Sequence, residues 1–249
     1  ASVIITPASM PRVLLITPSA STDDTSWVLG DFLDEMRFET LTRRTDAALP
    51  GMIEADELSA YDLAVFDRVE VPAGLAVPTI SFGASVPRYR RQTDESTTDR
   101  FTAWQRTHPI MRGLVLDGVR IARTSWFEPI EGAPPADELA SGRLGPIILL
   151  LTEGRWRRLA VAFEPADSNW PLLDISYLLF LVQSVEFFTF ETGSLANTLA
   201  TTSRPATIEA TPGEGQLVLQ GPVEITARVP GNTPAGQPVR VSLGIPERA

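Results

Sequence analysis

Few residues of this chain are suited to catalysis. It contains no cysteine and one histidine, His108, and all 21 of its basic residues are arginine. The lack of cysteine excludes thiol catalysis, zinc–cysteine sites and disulfides, and the lack of lysine excludes a Schiff base, a P-loop lysine and a lysine base. Carboxylate, serine and arginine chemistry remain, and we expect no bound metal and no cofactor.

The first candidate site pairs Ser85 with His108. Ser85 lies in a turn that begins at Gly83 after an apolar run, where a nucleophile elbow would present a serine. The elbow pattern requires a glycine two residues after the nucleophile, and Pro87 stands there instead. His108, the only histidine of the chain, would have to activate the hydroxyl. The alternative interpretation is a loop hydroxyl and a solvated or capping histidine.

The second candidate site contains two carboxylates, Glu164 and Asp167, just before an apolar helical pattern. Such a pair can act as acid and base or bind a cation. Alternatively, Asp167, Ser168 or Asn169 caps the helix, because polar and acidic side chains stabilise the free amides of a helix N-terminus. We favour the capping interpretation, which places Trp170 in the core beneath the turn.

The third candidate site is the run from Thr17 to Ser21, directly after an apolar strand pattern. A von Willebrand factor A metal site has Asp-x-Ser-x-Ser at this place, where the carboxylate and two hydroxyls hold magnesium. Ser19 and Ser21 match the serines, but Thr17 stands at the aspartate position. Because the charged ligand is missing, a polar turn whose hydroxyls cap backbone amides is the simpler interpretation.

Strand and helix patterns alternate over most of the chain. Short apolar runs predict strands, and apolar residues at helical spacing predict helices. The predicted strands are 12–17, 38–43, 63–66, 78–82, 119–124 and a hairpin of 146–152 with 155–163; the predicted helices are 27–36, capped within 22–25, and 172–190. We also predict an exposed loop at 88–100 and a short helix at 101–106. The alternation indicates an α/β domain built on a parallel sheet.

The composition changes after Gly193. Residues 194–204 are small and polar, as in a linker, and 205–249 contain short strand patterns separated by proline and glycine. We therefore predict an α/β domain over 1–193, a linker over 194–204 and a short all-β segment over 205–249. The last segment is too short for a complete sandwich, so we expect an incomplete one.

The most apolar stretch, Pro171–Phe190, resembles a membrane span only in its overall hydropathy. It contains Asp174, Gln183 and Glu186, which are costly in lipid, and its apolar residues recur at helical spacing. We therefore predict a helix of a soluble core. The chain carries a net charge of −10, which disfavours nucleic acid as a partner.

Five segments within the first 193 residues together resemble one known module. They are Tyr61–Asp67 (YDLAVFD), Thr107–Gly113 (THPIMRG), Gly145-Pro146, Leu159–Phe163 (LAVAF) and Asp167–Leu172 (DSNWPL). The module is the glutamine-amidotransferase-like domain of Bat-like (aerotolerance-type) bacterial membrane proteins, which also carry von Willebrand factor A domains. The resemblance covers residues 10–193, and its most specific part is the SNWPL run before the apolar helix.

The resemblance implies a flavodoxin-like, three-layer fold of the class I glutamine amidotransferase type. Catalytic members of that class have a cysteine in the elbow and a late Phe-His-Pro-Glu motif. In this sequence Ser85 lies at the elbow, and the late motif reads Phe163-Glu164-Pro165-Ala166. The catalytic positions Ser85, Glu164 and Ala166 are therefore degenerate. Each loss would cripple acyl transfer, because the nucleophile needs its base and the base needs its orienting acid.

The resemblance also implies partners and a location. In this family context the partner is a protein, an AAA ATPase system or another Bat-like protein. The domain would be a soluble, extracytoplasmic part of a bacterial membrane-associated protein. We expect this chain to be a fragment of a longer protein that carries its membrane segments elsewhere.

Three functions are compatible with these observations. The first is a noncatalytic binding or assembly domain, which the resemblance favours. The second is an enzyme or small-ligand binder that uses Ser85, His108 and Glu164, with Glu164 and Asp167 binding the ligand at the carboxyl ends of the strands. The third is a metal-dependent adhesion module at Ser19 and Ser21. Convergence of the polar side chains in one pocket would favour the enzyme, and their separation would favour the scaffold.

Overall fold

The computed structural model describes residues 10–19, 27–173 and 175–190, and four later strands at 206–210, 215–219, 225–229 and 239–243. The chain divides into two compact units. Met10–Thr189 form one of them, and the four later strands belong to the other. The unit Met10–Thr189 contains every candidate site residue that the structure describes.

An eight-stranded sheet forms the centre of this unit. Its strands, numbered along the chain and given from one edge to the other, are β2 (Thr40–Thr45), β1 (Arg12–Thr17), β3 (Leu63–Asp67), β4 (Thr79–Phe82), β12 (Trp156–Val161), β11 (Pro146–Glu153), β10 (Asp137–Ser141) and β7 (Ala103–Trp104). The first five strands run parallel, and each pairing after β12 is antiparallel. The predicted α/β class with a mainly parallel sheet is confirmed.

The burial of the central strands explains why the sequence predicts them. All residues of β3 and β4 and the four central residues of β1 are buried. A strand of a parallel sheet is covered on both faces, so it appears in the sequence as a continuous apolar run rather than an alternating one. The predicted hairpin is confirmed as β11 and β12, in which Glu153 lies opposite Trp156 across the turn.

The helices are short except for the last one. They are α1 (Trp27–Asp34), α2 (Leu49–Glu54), α3 (Trp170–Leu173) and α4 (Ile175–Phe190). The helix predicted over 172–190 begins two residues earlier and is described as two segments, and the caps predicted at 22–25 lie outside the described residues. None of the described helices is long and apolar enough to span a bilayer.

The middle of the unit differs from the sequence predictions. The predicted loop at 88–100 contains β5 (Tyr89–Asp94), which pairs with β9 (Thr124–Pro129), and β6 (Asp99–Arg100), which pairs with β8 (Arg120–Ile121). The helix predicted at 101–106 is wrong, because Ala103–Trp104 is the edge strand β7. The single strand predicted at 119–124 is divided between β8 and β9. The two-stranded pairs expose polar residues, so they lack the apolar run on which the predictions depended.

Trp170 is fully buried, as predicted. Its ring packs against four aromatic rings, with centroid distances of 5.6 Å to Phe101, 6.2 Å to Phe163, 5.4 Å to Tyr177 and 5.0 Å to Phe180. Its indole N–H donates to the Ser176 hydroxyl at 2.9 Å. Trp170 therefore joins the end of β12 to α4 at the centre of the core.

Arg158 on β12 is a buried cation, 1% exposed. Its Nε and Nη2 donate to the Glu153 carboxylate at 2.7 and 2.6 Å, and its guanidinium also donates to the Leu75 carbonyl at 3.0 Å and the Val77 carbonyl at 3.4 Å. These contacts attach the loop between β3 and β4 to the hairpin.

The second unit contains four described strands. β13 (Ala206–Ala210) pairs with β16 (Val239–Leu243), and β14 (Gly215–Leu219) pairs with β15 (Ile225–Val229), both antiparallel and both outside the eight-stranded sheet. The β-structure predicted for this segment is confirmed. The incomplete sandwich stays a prediction, and the predicted linker at 194–204 lies outside the described residues.

Candidate functional site

The elbow after β4 packs against Glu164, one of the three residues predicted to stand at degenerate catalytic positions. Gly83 adopts a left-handed conformation with φ +68°, and its N–H donates to the Val161 carbonyl at 2.9 Å. A β-carbon at this position would lie 2.6 Å from Cγ of Glu164. The turn therefore depends on glycine both for its conformation and for the close approach of Glu164.

Replacing Gly83 by alanine should lower the free energy of unfolding by about 1–3 kcal/mol, because a left-handed alanine is strained and its methyl group overlaps Glu164. Gly74 is the matched control: its φ is +75°, but an added β-carbon meets nothing within 4 Å. Gly74→Ala should thus show only the backbone cost. Urea denaturation of both variants measures the difference, and equal costs would contradict a tight contact between the elbow and Glu164.

Glu164 and Asp167 contact the same guanidinium. Arg123, in the turn between β8 and β9, donates from Nε to Asp167 Oδ2 at 3.1 Å and from Nη2 to the same carboxylate and to Glu164 Oε1, the latter at 3.5 Å. Glu95 adds a third carboxylate at 3.9 Å. The structure thus brings both predicted ligand-binding carboxylates together, and an arginine lies between them.

Arg91 on β5 is the second cation of this region. Its Nε donates to the Ala162 carbonyl, and its Nη2 donates to the Ser125 hydroxyl at 3.4 Å. Burial lowers the pKa of Arg91, and the charge of Glu164 opposes that change. Sequence reasoning identified neither Arg91 nor Arg123. Arg91 lies in the segment predicted as an exposed loop and Arg123 in a predicted strand, and only the pairing of β5 with β9 places them beside Glu164.

Burial raises the pKa of Glu164, and the neighbouring Asp167 raises it further, whereas Arg123 opposes the change. A folded-state pKa above the unfolded value means that folding favours the protonated acid. The stability that this proton contributes is present below the unfolded pKa and is lost as the pH rises through the folded pKa.

We therefore expect the free energy of unfolding of the wild type, relative to Glu164→Gln, to increase as the pH falls from 7 towards 4. Denaturant titrations of both proteins at several pH values measure this slope. Asp62→Asn is the control with the opposite sign. Burial raises the pKa of Asp62, but the hydrogen bonds and charge of Arg12 outweigh burial and lower it. A flat or inverted difference for Glu164→Gln would contradict the assigned burial.

The Ser85 side chain is engaged with the backbone. Its Oγ accepts a hydrogen bond from the Arg91 N–H at 3.1 Å, and its carbonyl accepts from the Val71 N–H at 3.3 Å. These bonds fix the loop after β4 against β5 and the loop after β3.

His108 lies at the other end of the sheet. Its Nδ1 accepts a hydrogen bond from the Ile110 N–H at 3.3 Å, which confirms the capping interpretation. The centroid of its ring lies 5.4 Å from that of Phe187. The guanidinium of Arg157 lies over the same Phe187 ring, 5.0 Å from its centroid. Arg157 is near the start of β12, whereas Glu164 follows its end. The four strand steps from Arg157 to Val161 alone separate these neighbourhoods by roughly 13 Å. The structure does not bring His108 to Ser85 or Glu164.

The residues after Glu164 form a short turn before α3. Pro165–Asp167 is a single 3-10 turn that includes Ala166, which the resemblance predicts to be a degenerate catalytic position. Of the three predicted caps, Ser168 accepts the Trp170 N–H at 3.4 Å, whereas Asp167 pairs with Arg123 and Asn169 accepts the Arg120 N–H at 2.7 Å. The capping interpretation therefore holds for Ser168 alone.

The structure describes only residues 17–19 of the third candidate site, the run from Thr17 to Ser21. The Ser19 N–H donates to the Asp46 carboxylate at 2.8 Å, and Ser21 lies outside the described residues. Within the described ranges, no group of three or more histidine, aspartate and glutamate side chains is arranged to hold a metal ion.

Comparisons with known proteins bear on the fold alone. No family model matches the chain. No curated protein matches it either. Among solved structures, cytoplasmic protein STM1381 from Salmonella typhimurium LT2 is 12% identical with a TM-score of 0.50, covering 72% of this chain and 99% of its own. A ThuA-like protein from Bacteroides uniformis is 12% identical with a TM-score of 0.48, covering 75% and 94%. The first similarity shows a shared α/β fold.

Proposed function

We propose that this chain is a noncatalytic binding or assembly domain, built on an amidotransferase-like scaffold of the flavodoxin type that has lost its hydrolytic residues. The observation that carries the proposal is the separation of His108 from Ser85. An acyl-transfer site needs a nucleophile in hydrogen-bond reach of its base and an orienting group behind the base. Here the only histidine caps a turn at the opposite end of β12.

The remaining polar groups near the elbow support the same proposal. Ser85 holds a backbone amide, and Glu164 and Asp167 share Arg123. Each group thus has an intramolecular partner that stabilises the carboxyl edge of the sheet. Arg123 would have to release its carboxylates before either of them could act as a general base.

Glutamine hydrolysis tests the noncatalytic assignment. The purified chain should release no glutamate above a protein-free blank, and Ser85→Ala should give the same trace. Glutamate release that Ser85→Ala abolishes would overturn the assignment.

On the resemblance to Bat-like proteins, we further propose that the domain belongs to a bacterial membrane-associated protein and binds a protein partner there, an AAA ATPase system or another Bat-like protein. Cross-linking in membranes from the source cells, followed by mass spectrometry of the adducts, tests this. Adducts with such proteins are expected, and adducts confined to other proteins would contradict the proposed partner.

A second candidate function is small-ligand binding by Glu164 and Asp167. The raised pKa of Glu164 and its place at the carboxyl edge of a parallel sheet favour it, because open α/β sheets bind ligands at that edge. Binding would have to displace Arg123 from the carboxylates. A ligand of this site should therefore bind Arg123→Ala more tightly than the wild type, and weaker binding would exclude this mode.

A further inference from the structure

A groove of about 410 Å³ opens beside the elbow. Its lining includes Glu70 and Val71 from the loop after β3, Ser85 and Arg90 from the segment after β4, and Ile130 just after β9. None of these residues belongs to the ion-pair cluster of Arg123. The groove lies at the carboxyl ends of β3 and β4, and its volume is in the range of binding pockets.

The lining combines an apolar surface with polar side chains that can form further hydrogen bonds or ion pairs. Ile130 is 42% exposed, and the side chains of Glu70 and Arg90 are exposed on the same groove. Within the described part of the chain, neither Glu70 nor Arg90 forms an ion pair, and the Ser85 hydroxyl, which accepts from Arg91, donates to no acceptor. The groove thus presents one carboxylate, one guanidinium and one hydroxyl donor around apolar side chains.

Val86, Pro87 and Tyr89 line the groove and belong to a turn whose strained residue is Arg88. Val86 and Tyr89 exchange backbone hydrogen bonds of 3.1 and 3.0 Å around Pro87 and Arg88, and Arg88 has φ +69°. A left-handed arginine is uncommon, since this turn position favours glycine or asparagine. Strained residues of this kind concentrate at ligand clamps and active sites.

We propose that this groove binds an extended segment of a partner protein in which an apolar side chain lies between a basic and an acidic residue. The apolar side chain packs against Ile130, the basic residue pairs with Glu70, and the acidic residue pairs with Arg90. This inference rests on the proposed binding function and specifies the chemistry of the partner.

Three capped peptides test the charge pattern in direct titrations of the full chain followed by NMR: acetyl-Arg-Leu-Asp-amide, acetyl-Arg-Leu-Arg-amide and acetyl-Asp-Leu-Asp-amide. The wild type should bind the mixed-charge peptide about threefold or more tightly than the other two, as expected for exposed ion pairs. Arg90→Glu should shift the preference to the dibasic peptide, and Glu70→Arg to the diacidic one. The design does not depend on the direction in which the peptide lies.

Two further variants locate the binding. Ile130→Asp should abolish it without unfolding the chain, because Ile130 is already partly exposed. The paired control Arg37→Glu with Glu57→Arg changes exposed charges elsewhere and should leave the preference of the wild type unchanged. Equal affinity for all three peptides, no binding by the wild type, or binding that survives Ile130→Asp would overturn the inference. Those results would leave the noncatalytic assignment intact, because that assignment is tested separately by Ser85-dependent reactivity.

Discussion

Replacement of Trp170 by alanine should lower the free energy of unfolding by about 3–5 kcal/mol, the cost of a large cavity in a packed core. The indole is fully buried among four aromatic rings, and its N–H is the donor to the Ser176 hydroxyl. For a unit of this size the melting temperature should fall by roughly 6–20 °C. Thermal unfolding followed by circular dichroism measures the shift.

The control for this prediction is Trp156→Ala, because Trp156 is a half-buried tryptophan at the start of β12. Its loss should cost much less than the loss of Trp170. A shift below one degree for Trp170→Ala would rule out the core position and would point to an exposed partner surface instead.

Glu153→Ala should lower the free energy of unfolding by about 3 kcal/mol, because it leaves the buried guanidinium of Arg158 without its counter-ion. The side chain of Glu153 is 38% exposed and that of Arg158 is 2% exposed, so water replaces the lost carboxylate poorly. Guanidinium chloride or urea denaturation measures the change.

Two variants make this result specific. Glu54→Ala removes an exposed glutamate and should change stability by at most about 0.5 kcal/mol. The double variant Glu153→Ala with Arg158→Met should be more stable than Glu153→Ala alone, because no unpaired charge stays buried. A cost for Glu153→Ala equal to that of Glu54→Ala would contradict the buried ion pair.

Local sequence patterns predicted the centre of the fold because burial on both faces requires a continuous apolar run within each strand. The strand at 12–17 matches β1 at both ends, since a strand covered on both faces must be apolar throughout. The predicted helix caps at 167–169 and the apolar helix after them led to the prediction that Trp170 lies in the core. By contrast, β5 lies in a segment predicted as a loop, because its polar residues Arg90 and Gln92 form no apolar pattern.

The candidate site was predictable only in part. Glu164 and Asp167 stood out because they precede an apolar helix, and the structure places them together. Arg123 and Arg91 gave no signal, since their positions depend on the pairing of strands some 35 residues apart in the chain. The location of His108 was likewise beyond local reasoning, because it depends on packing against Phe187 on α4.

The reactivity of Ser85 tests the central claim most directly. A fluorophosphonate reagent forms a covalent adduct with a serine that a neighbouring base activates, and intact-mass spectrometry detects one added group per chain. We predict that the chain gains no such adduct, because the Ser85 hydroxyl is held by the Arg91 N–H and His108 lies at the other end of the sheet. Stoichiometric labelling that Ser85→Ala removes and His108→Ala slows would contradict the account.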